Sequence, residues 1–149
     1  MSKIFDQPFK KIKPLTFYEI LRLRIDVFVV EQNCPYPELD GFDVDSGTRH
    51  IWLADEESPV SYLRVLRKSK GVDKIGRVAT SLHNRNKGMA KSLIEHVINT
   101  TSGELVLDAQ AYLENWYEEM GFITNGKAFE EGCGDDTNSG ILHVPMVYK

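Results

Sequence analysis

The hydrophobic pattern changes period along the chain. Ile20, Leu23, Val27 and Val30 recur at helical spacing, with Leu21 and Phe28 widening the stripe, which predicts a first helix over about residues 16–32. Thr16 followed by Glu19 has the capping-box spacing, and Pro14 helps to fix the entry. The stretch NCPYPELDGFDVDSG then breaks the pattern with prolines, glycines and carboxylates and predicts a long polar loop. HIWLAD (50–55) and VSYLRVL (60–66) predict strands with ESP as the turn between them, and IGRVATS (75–81) predicts a third after the polar segment RKSKGVDK.

The second half alternates. Met89, Leu93 and Val97 form one i, i+4 row, and Ala90, Ile94 and Ile98 form the adjacent one, so a helix with a single apolar face follows. ELVLDA (104–109) reads as a buried strand. AYLENWYEEM (111–120) reads as a short helix stopped by Gly121. FITNG and ILHVPMVY (141–148), separated by a polar insert, read as closing strands. The order helix, β, β, β, helix, β, helix, β, β argues an α/β layered domain with a parallel portion.

Composition narrows the class. The 149 residues are 42% hydrophobic and 27% charged, which suits one globular domain over 1–149. A net charge of −4 gives no general footprint for nucleic acid. No apolar run reaches membrane-span length and the N-terminus lacks a signal-peptide core, so the expected location is cytoplasmic, with no membrane partner. Cys34 and Cys133 stand 99 positions apart without a CxxC and are expected as reduced thiols.

The chemistry concentrates in RNKGMA (85–90), a basic turn opening a helix on an acidic chain. A helix N-terminus offers unpaired N–H groups and a positive dipole end, so an anion site and a solvated turn are both open there. Other ligand motifs fail: GVDKIGRV has P-loop glycine spacing but Arg77 and Val78 where Lys and Ser/Thr are needed, and GxGxxG is absent. Counted as calcium loops, the acidic segments put Thr48 where the glycine belongs and Met146 where the closing Glu belongs. No metal is expected.

RNKGMA matches the Q/RxxGxG/A signature of the GNAT superfamily of N-acetyltransferases, and NWYEEMGF (115–122) resembles its later Tyr-bearing helix with the following Gly and Phe. LRLRIDVFVVEQNCPYPELDGFD, SYLRVL, IGRVATS, LDAQAYLENWYEEMGF and ILHVPM are similar, in that order, to the ElaA-like subfamily. The resemblance departs at Asn86 and Ala90, where ElaA-like proteins commonly carry glycines, and at EEGCGDDTNSG (130–140), which is longer than usual.

The resemblance implies a single-domain GNAT acyl-CoA N-acyltransferase fold, a mixed central β-sheet flanked by helices. It implies acetyl-CoA as co-substrate, lying between the IGRVATS and ELVLDA strands, with Val78 and Thr80 pairing to its amides. Main-chain N–H groups of Asn86, Lys87, Gly88, Met89 and Ala90 would take the pyrophosphate, with Arg85 and Lys87 assisting. N–H groups near Val78 and Ala79 would polarise the thioester carbonyl. Tyr117 takes the general-acid position, and Gln110 a hydrogen bond to pantetheine or acceptor. For the base, Glu31 leads, with Asp40, Asp43, His50 and His143 as further groups at the acceptor pocket beside Tyr36. The acceptor is a primary amine, on a cationic small molecule or on a peptide or lysine side chain. A non-catalytic acyl-CoA-binding protein and a homodimer both stay open.

Overall fold

The computed structural model describes residues 3–132 and 140–148; Cys133 and most of the 130–140 insert lie outside the described residues. Strand β1 (Ile4–Gln7) leads into helix α1 (Pro14–Ile25), whose last part widens into a π-helical turn over Asp26–Glu31. β2 (Arg49–Asp55), β3 (Ser58–Ser69) and β4 (Val72–Thr80) follow, then helix α2 (Met89–Thr100) and β5 (Glu104–Gln110). Helix α3 (Glu114–Glu118), β6 (Phe122–Thr124), β7 (Phe129–Glu131) and β8 (Ile141–Tyr148) complete the chain.

The strands join one sheet in the order β1-β2-β3-β4-β5-β8-β6, with β7 also on β8. Every pairing is antiparallel except β4 with β5. Alternation along β3 divides the core between the two faces. Leu63 and Val65 pack with Leu93, Ile94 and Val97 of α2, whereas Tyr62 packs with Ile20, Leu23 and Val27 of the first helix. No described helix is long and apolar enough to cross a membrane.

Several local expectations change. The first helix begins at Pro14 with Lys13 as its cap and no side-chain capping bond, so the Thr16–Glu19 box does not form. Proline at the first helical position lacks the N–H a cap would satisfy and carries a helical φ already. RKSKGVDK, a polar segment with no strand signal, forms a hairpin: Ser69 pairs with Val72 across Gly71, which has φ +79°. β1 and β7 are short strands that the periodicity does not reveal. Cys34 is disulfide-bonded, which overturns its reading as a reduced thiol.

Candidate active site

The parallel pairing of β4 with β5 runs only from Val72↔Glu104 to Ile75↔Leu107. Beyond that point the strands part. On its other side β4 pairs Gly76 with Arg64 and Ala79 with Tyr62, so β4 holds one more residue than β3 across that interval. This is a β-bulge, and it falls where Arg77 takes φ +53°, a left-handed conformation uncommon outside glycine. The bulge turns β4 away from β5. A cavity of about 790 Å³ opens between them, lined by Gly76, Arg77, Val78, Ala79 and Thr80 on one side and Leu107, Asp108 and Gln110 on the other.

The start of α2 closes one end of this cavity. Asn86 (φ +62°) and Gly88 (φ +75°) turn the chain into the helix, and the first intrahelical bond runs from Ser92 N to Gly88 O at 3.0 Å. The N–H groups of Met89, Ala90 and Lys91 therefore have no partner within the helix. A Cβ on Gly88 would meet nothing within 4 Å, so the space before this turn is open and backbone conformation sets the demand for glycine. Asn86 meets the same demand as one of the few side chains tolerated there. Asn86, Gly88, Met89 and Ala90 line the cavity; Lys87 does not, and Lys91, one turn further on, does.

Arg85 is already engaged. Its terminal nitrogens donate to both Glu31 oxygens at 2.6 and 2.5 Å, and its Nε donates to Thr80 O at 3.0 Å. Those bonds hold the Glu31 carboxyl below its ordinary range. Gln32, next in the chain, exchanges amide hydrogen bonds with Gln110 at 3.2 and 3.3 Å and ties the first helix to the end of β5.

The 38–43 loop is fastened by three arginines. Arg24, fully buried, donates to Glu38 and Asp43 at 2.7 Å each. Arg77 donates to the same Glu38 oxygen at 2.7 Å and to Asp40 at 3.2 Å, and its guanidinium lies 5.5 Å from the Tyr36 ring centroid. Arg64 donates to Asp40 through both terminal nitrogens and to Asp43 at 3.1 Å. Burial alone would raise the Asp40 carboxyl, but the bonds from Arg64 and the Phe42 N–H outweigh it and bring it to about 2. Asp43 is lowered in the same way: burial opposes, and Arg24 and Arg64 prevail. Three carboxylates and three guanidiniums balance, so the loop is not the acidic attractor its composition implies.

The expected acceptor-pocket residues divide accordingly. Tyr36, Asp40 and His143 line the cavity, whereas Asp43 and His50 stand behind its wall. His50 has no exposed surface: its Nε2–H donates to Asp43 O at 2.9 Å and its Nδ1 accepts from the Tyr62 hydroxyl at 2.7 Å. Burial, the largest influence, pushes its pKa down. Tyr117 lines the cavity from α3, its ring set edge-on between Trp116 and Phe122 at 4.8 and 5.9 Å. Burial raises the Tyr117 hydroxyl above its usual value, so it stays protonated at neutral pH.

Sequence reasoning passed over Arg24, Arg64, Arg77 and Lys91. Arg24 carried a signal: it sits on the buried stripe, four residues after Ile20 and three before Val27. The others depend on register and helix rotation.

The family model described as "Acetyltransferase (GNAT) domain" matches residues 26–149. The chain belongs to the GNAT acetyltransferase family. Within it, protein ElaA of Escherichia coli is 37% identical over 138 residues, covering 87% of this chain and 84% of ElaA. The crystal structure of E. coli ElaA superposes with a TM-score of 0.88 at 31% identity, over 100% of both chains. A UPF0039 protein of Mycobacterium tuberculosis is 38% identical over 143 residues, covering 93% of this chain and 87% of that one. An acyl-CoA N-acyltransferase from Pseudomonas aeruginosa gives a TM-score of 0.88 at 29% identity, again over 100% of both. The protein is thus an ElaA-like member with the single-domain GNAT fold.

Proposed function

We propose that this protein is an acetyl-CoA-dependent N-acetyltransferase acting on a primary amine. The observation that carries the reading is the seam between β4 and β5: one cavity joins the glycine turn at the start of α2 to Tyr117. Membership in the GNAT family and likeness to an acyl-CoA N-acyltransferase support the same chemistry.

The residues fit an acyl-CoA. Beyond Ile75 the β4 backbone has no β5 partner, so main-chain groups of Val78 and of Thr80, whose carbonyl also accepts from Arg85, would pair with an elongated amide-bearing ligand, with Gln110 on the opposite side of the cavity. The N–H groups from Asn86 to Ala90, Lys87 among them, would cradle its pyrophosphate, with charge from Lys91 and from the outer face of Arg85. Acetyl-CoA supplies an activated acetyl thioester when bound.

The chain's own residues then orient and exchange protons. The N–H group of the bulge at Val78 would be the donor for a thioester oxygen gaining charge, while the Ala79 N–H, in register with Tyr62, holds the bulge against β3. Tyr117 protonates the departing sulfur, and its raised pKa keeps that proton in place until needed. Tyr36 and Asp40 form the acceptor wall. Asp43 and His50 brace that wall from behind, and Glu31 holds Arg85 against the turn. Because the acids of the 38–43 loop are neutralised by arginine, the acceptor is selected by shape and hydrogen bonding more than by a negative field.

Calorimetric titration with acetyl-CoA, set beside an Arg85→Glu, Gly88→Asp double variant, tests the reading. Micromolar binding that the variant loses assigns the cofactor to this turn and justifies screening amines by CoA release. An absence of binding to the wild-type protein refutes the proposal.

A further inference from the structure

An N-acetyltransferase must take a proton from its amine, which arrives as an ammonium near pKa ~10.4. Five described carboxylates line the cavity: Glu31, Glu38, Asp40, Asp108 and Glu131. Four are ion-paired with cations: Glu31 with Arg85, Glu38 with Arg24 and Arg77, Asp40 with Arg64 and Arg77, and Asp108 with Lys74 at 2.6 Å. A carboxylate whose lone pairs face a guanidinium or ammonium is a poor proton acceptor. Glu131 instead faces His143, its Oε2 standing 3.4 Å from Nε2.

His143 is built to accept a proton on one nitrogen. Its Nδ1 lies 2.7 Å from the Ile141 carbonyl oxygen, which only accepts, so Nδ1 carries the hydrogen and Nε2 of the neutral ring keeps its lone pair. The ring stacks on Phe129 at 5.8 Å and stands opposite Gln110 on β5, at the wide end of the seam. Glu131, half exposed, is the charged group from β7 that faces the ring; on β5 the nearest carboxylate, Asp108, is taken up by Lys74.

We propose, resting on the acetyltransferase reading above, that His143 is the general base and Glu131 its electrostatic partner. His143 Nε2 takes one proton from the acceptor ammonium, giving a neutral amine and an imidazolium paired with Glu131. The amine nitrogen then bonds the acetyl carbon as the carbon–sulfur bond breaks, the sulfur takes its proton from Tyr117, and the newly bonded nitrogen sheds its second proton to solvent to leave the neutral amide. No oxidation or reduction occurs. The imidazolium returns its proton to solvent past Glu131, and Tyr117 is reprotonated from solvent.

The test uses the full chain and two readouts. Long-range proton–nitrogen NMR of the histidine rings is expected to show neutral His143 protonated at Nδ1, with a titration midpoint that Glu131→Gln lowers. CoA release is measured across pH with acetyl-CoA and three probe amines: spermidine, phenethylamine and an end-capped lysine peptide. Wild-type kcat/KM should rise with pH through the His143 midpoint, and Glu131→Gln should move that limb to lower pH by the NMR shift. His143→Gln should abolish the limb and lower kcat roughly 10²–10⁴-fold with acetyl-CoA affinity retained. A limb that persists in His143→Gln, a proton on Nε2, or a midpoint indifferent to Glu131 overturns the assignment. Wild-type protein that binds acetyl-CoA yet turns over none of the three amines overturns the enzymatic reading, and the base assignment with it. Should His143→Gln fail to fold, the exposed Glu131→Gln and the wild-type NMR titration still decide.

Discussion

Arg85 and Glu31, 54 residues apart in sequence, meet in a two-pronged ion pair at the edge of the seam. An anion bound at the basic turn as proposed would therefore find one cation already partnered, and among the described residues Lys91 has no ion-pair partner.

Removing Glu31 should expose the full charge of Arg85, which Thr80 O still positions. Glu31→Ala is expected to tighten acetyl-CoA binding roughly 1.4-fold to fivefold at low salt, matching the ~0.2–1 kcal/mol of an exposed ion pair. Calorimetry at low and high salt checks this, and the gain should shrink as salt rises. Weaker binding would instead mean that Glu31 organises Arg85 for the ligand.

Tyr117→Phe keeps the ring between Trp116 and Phe122 and removes only the hydroxyl. Turnover should fall by roughly 10²–10⁴-fold with acetyl-CoA affinity nearly unchanged. Steady-state CoA release beside equilibrium titration separates the two, and equal rates in both proteins would remove Tyr117 from the chemistry.

Arg24 is the cation that Glu38 and Asp43 share in the interior. Arg24→Met leaves two buried carboxylates short of a partner, a change that costs about 3–5 kcal/mol. Urea unfolding followed by circular dichroism should show this loss; a change under 1 kcal/mol would mean that Arg64 and Arg77 suffice.

Acid should destabilise the protein in two stages. Unfolded His50 takes its proton near pH ~6.5, while burial holds the folded ring to a lower pKa. The unfolded chain binds more protons in that window, so stability falls as pH drops below ~6.5. Asp40 titrates near ~3.9 when unfolded but at about 2 when folded, and Asp43 is also lowered. Their stabilisation is present above ~3.9 and disappears toward about 2. Urea midpoints between pH 8 and 2 check both stages, and His50→Gln should erase the upper one alone.

Much of this was legible in the chain. The row Met89, Leu93, Val97 marked α2 because its apolar face is unbroken, and HIWLAD and ILHVPMVY marked buried strands. The positions of RNKGMA and Tyr117 along one cavity follow from a strand, turn and helix order that the pattern exposes. The loop acids were not legible as a neutral cluster. Their partners Arg24, Arg64 and Arg77 lie 14 to 39 residues away, and only the folded register brings them together. The bulge at Arg77 has no sequence mark either, since an extra residue in a strand is defined by the partner strand. Lys91 lines the cavity from the first turn of α2, whereas Lys87, in the turn before the helix, does not, and neither placement has a mark in the sequence.

The early end of the β4–β5 pairing leaves a row of rungs missing from the middle of the sheet. A ligand bound there as proposed would complete the hydrogen-bond lattice as a borrowed strand and extend the link between the two halves of the sheet beyond the four pairs from Val72 to Ile75. Amide hydrogens of Val78 to Thr80 should then exchange with solvent far more slowly in the liganded protein, as should those of β8, which leans on β5 from the far side.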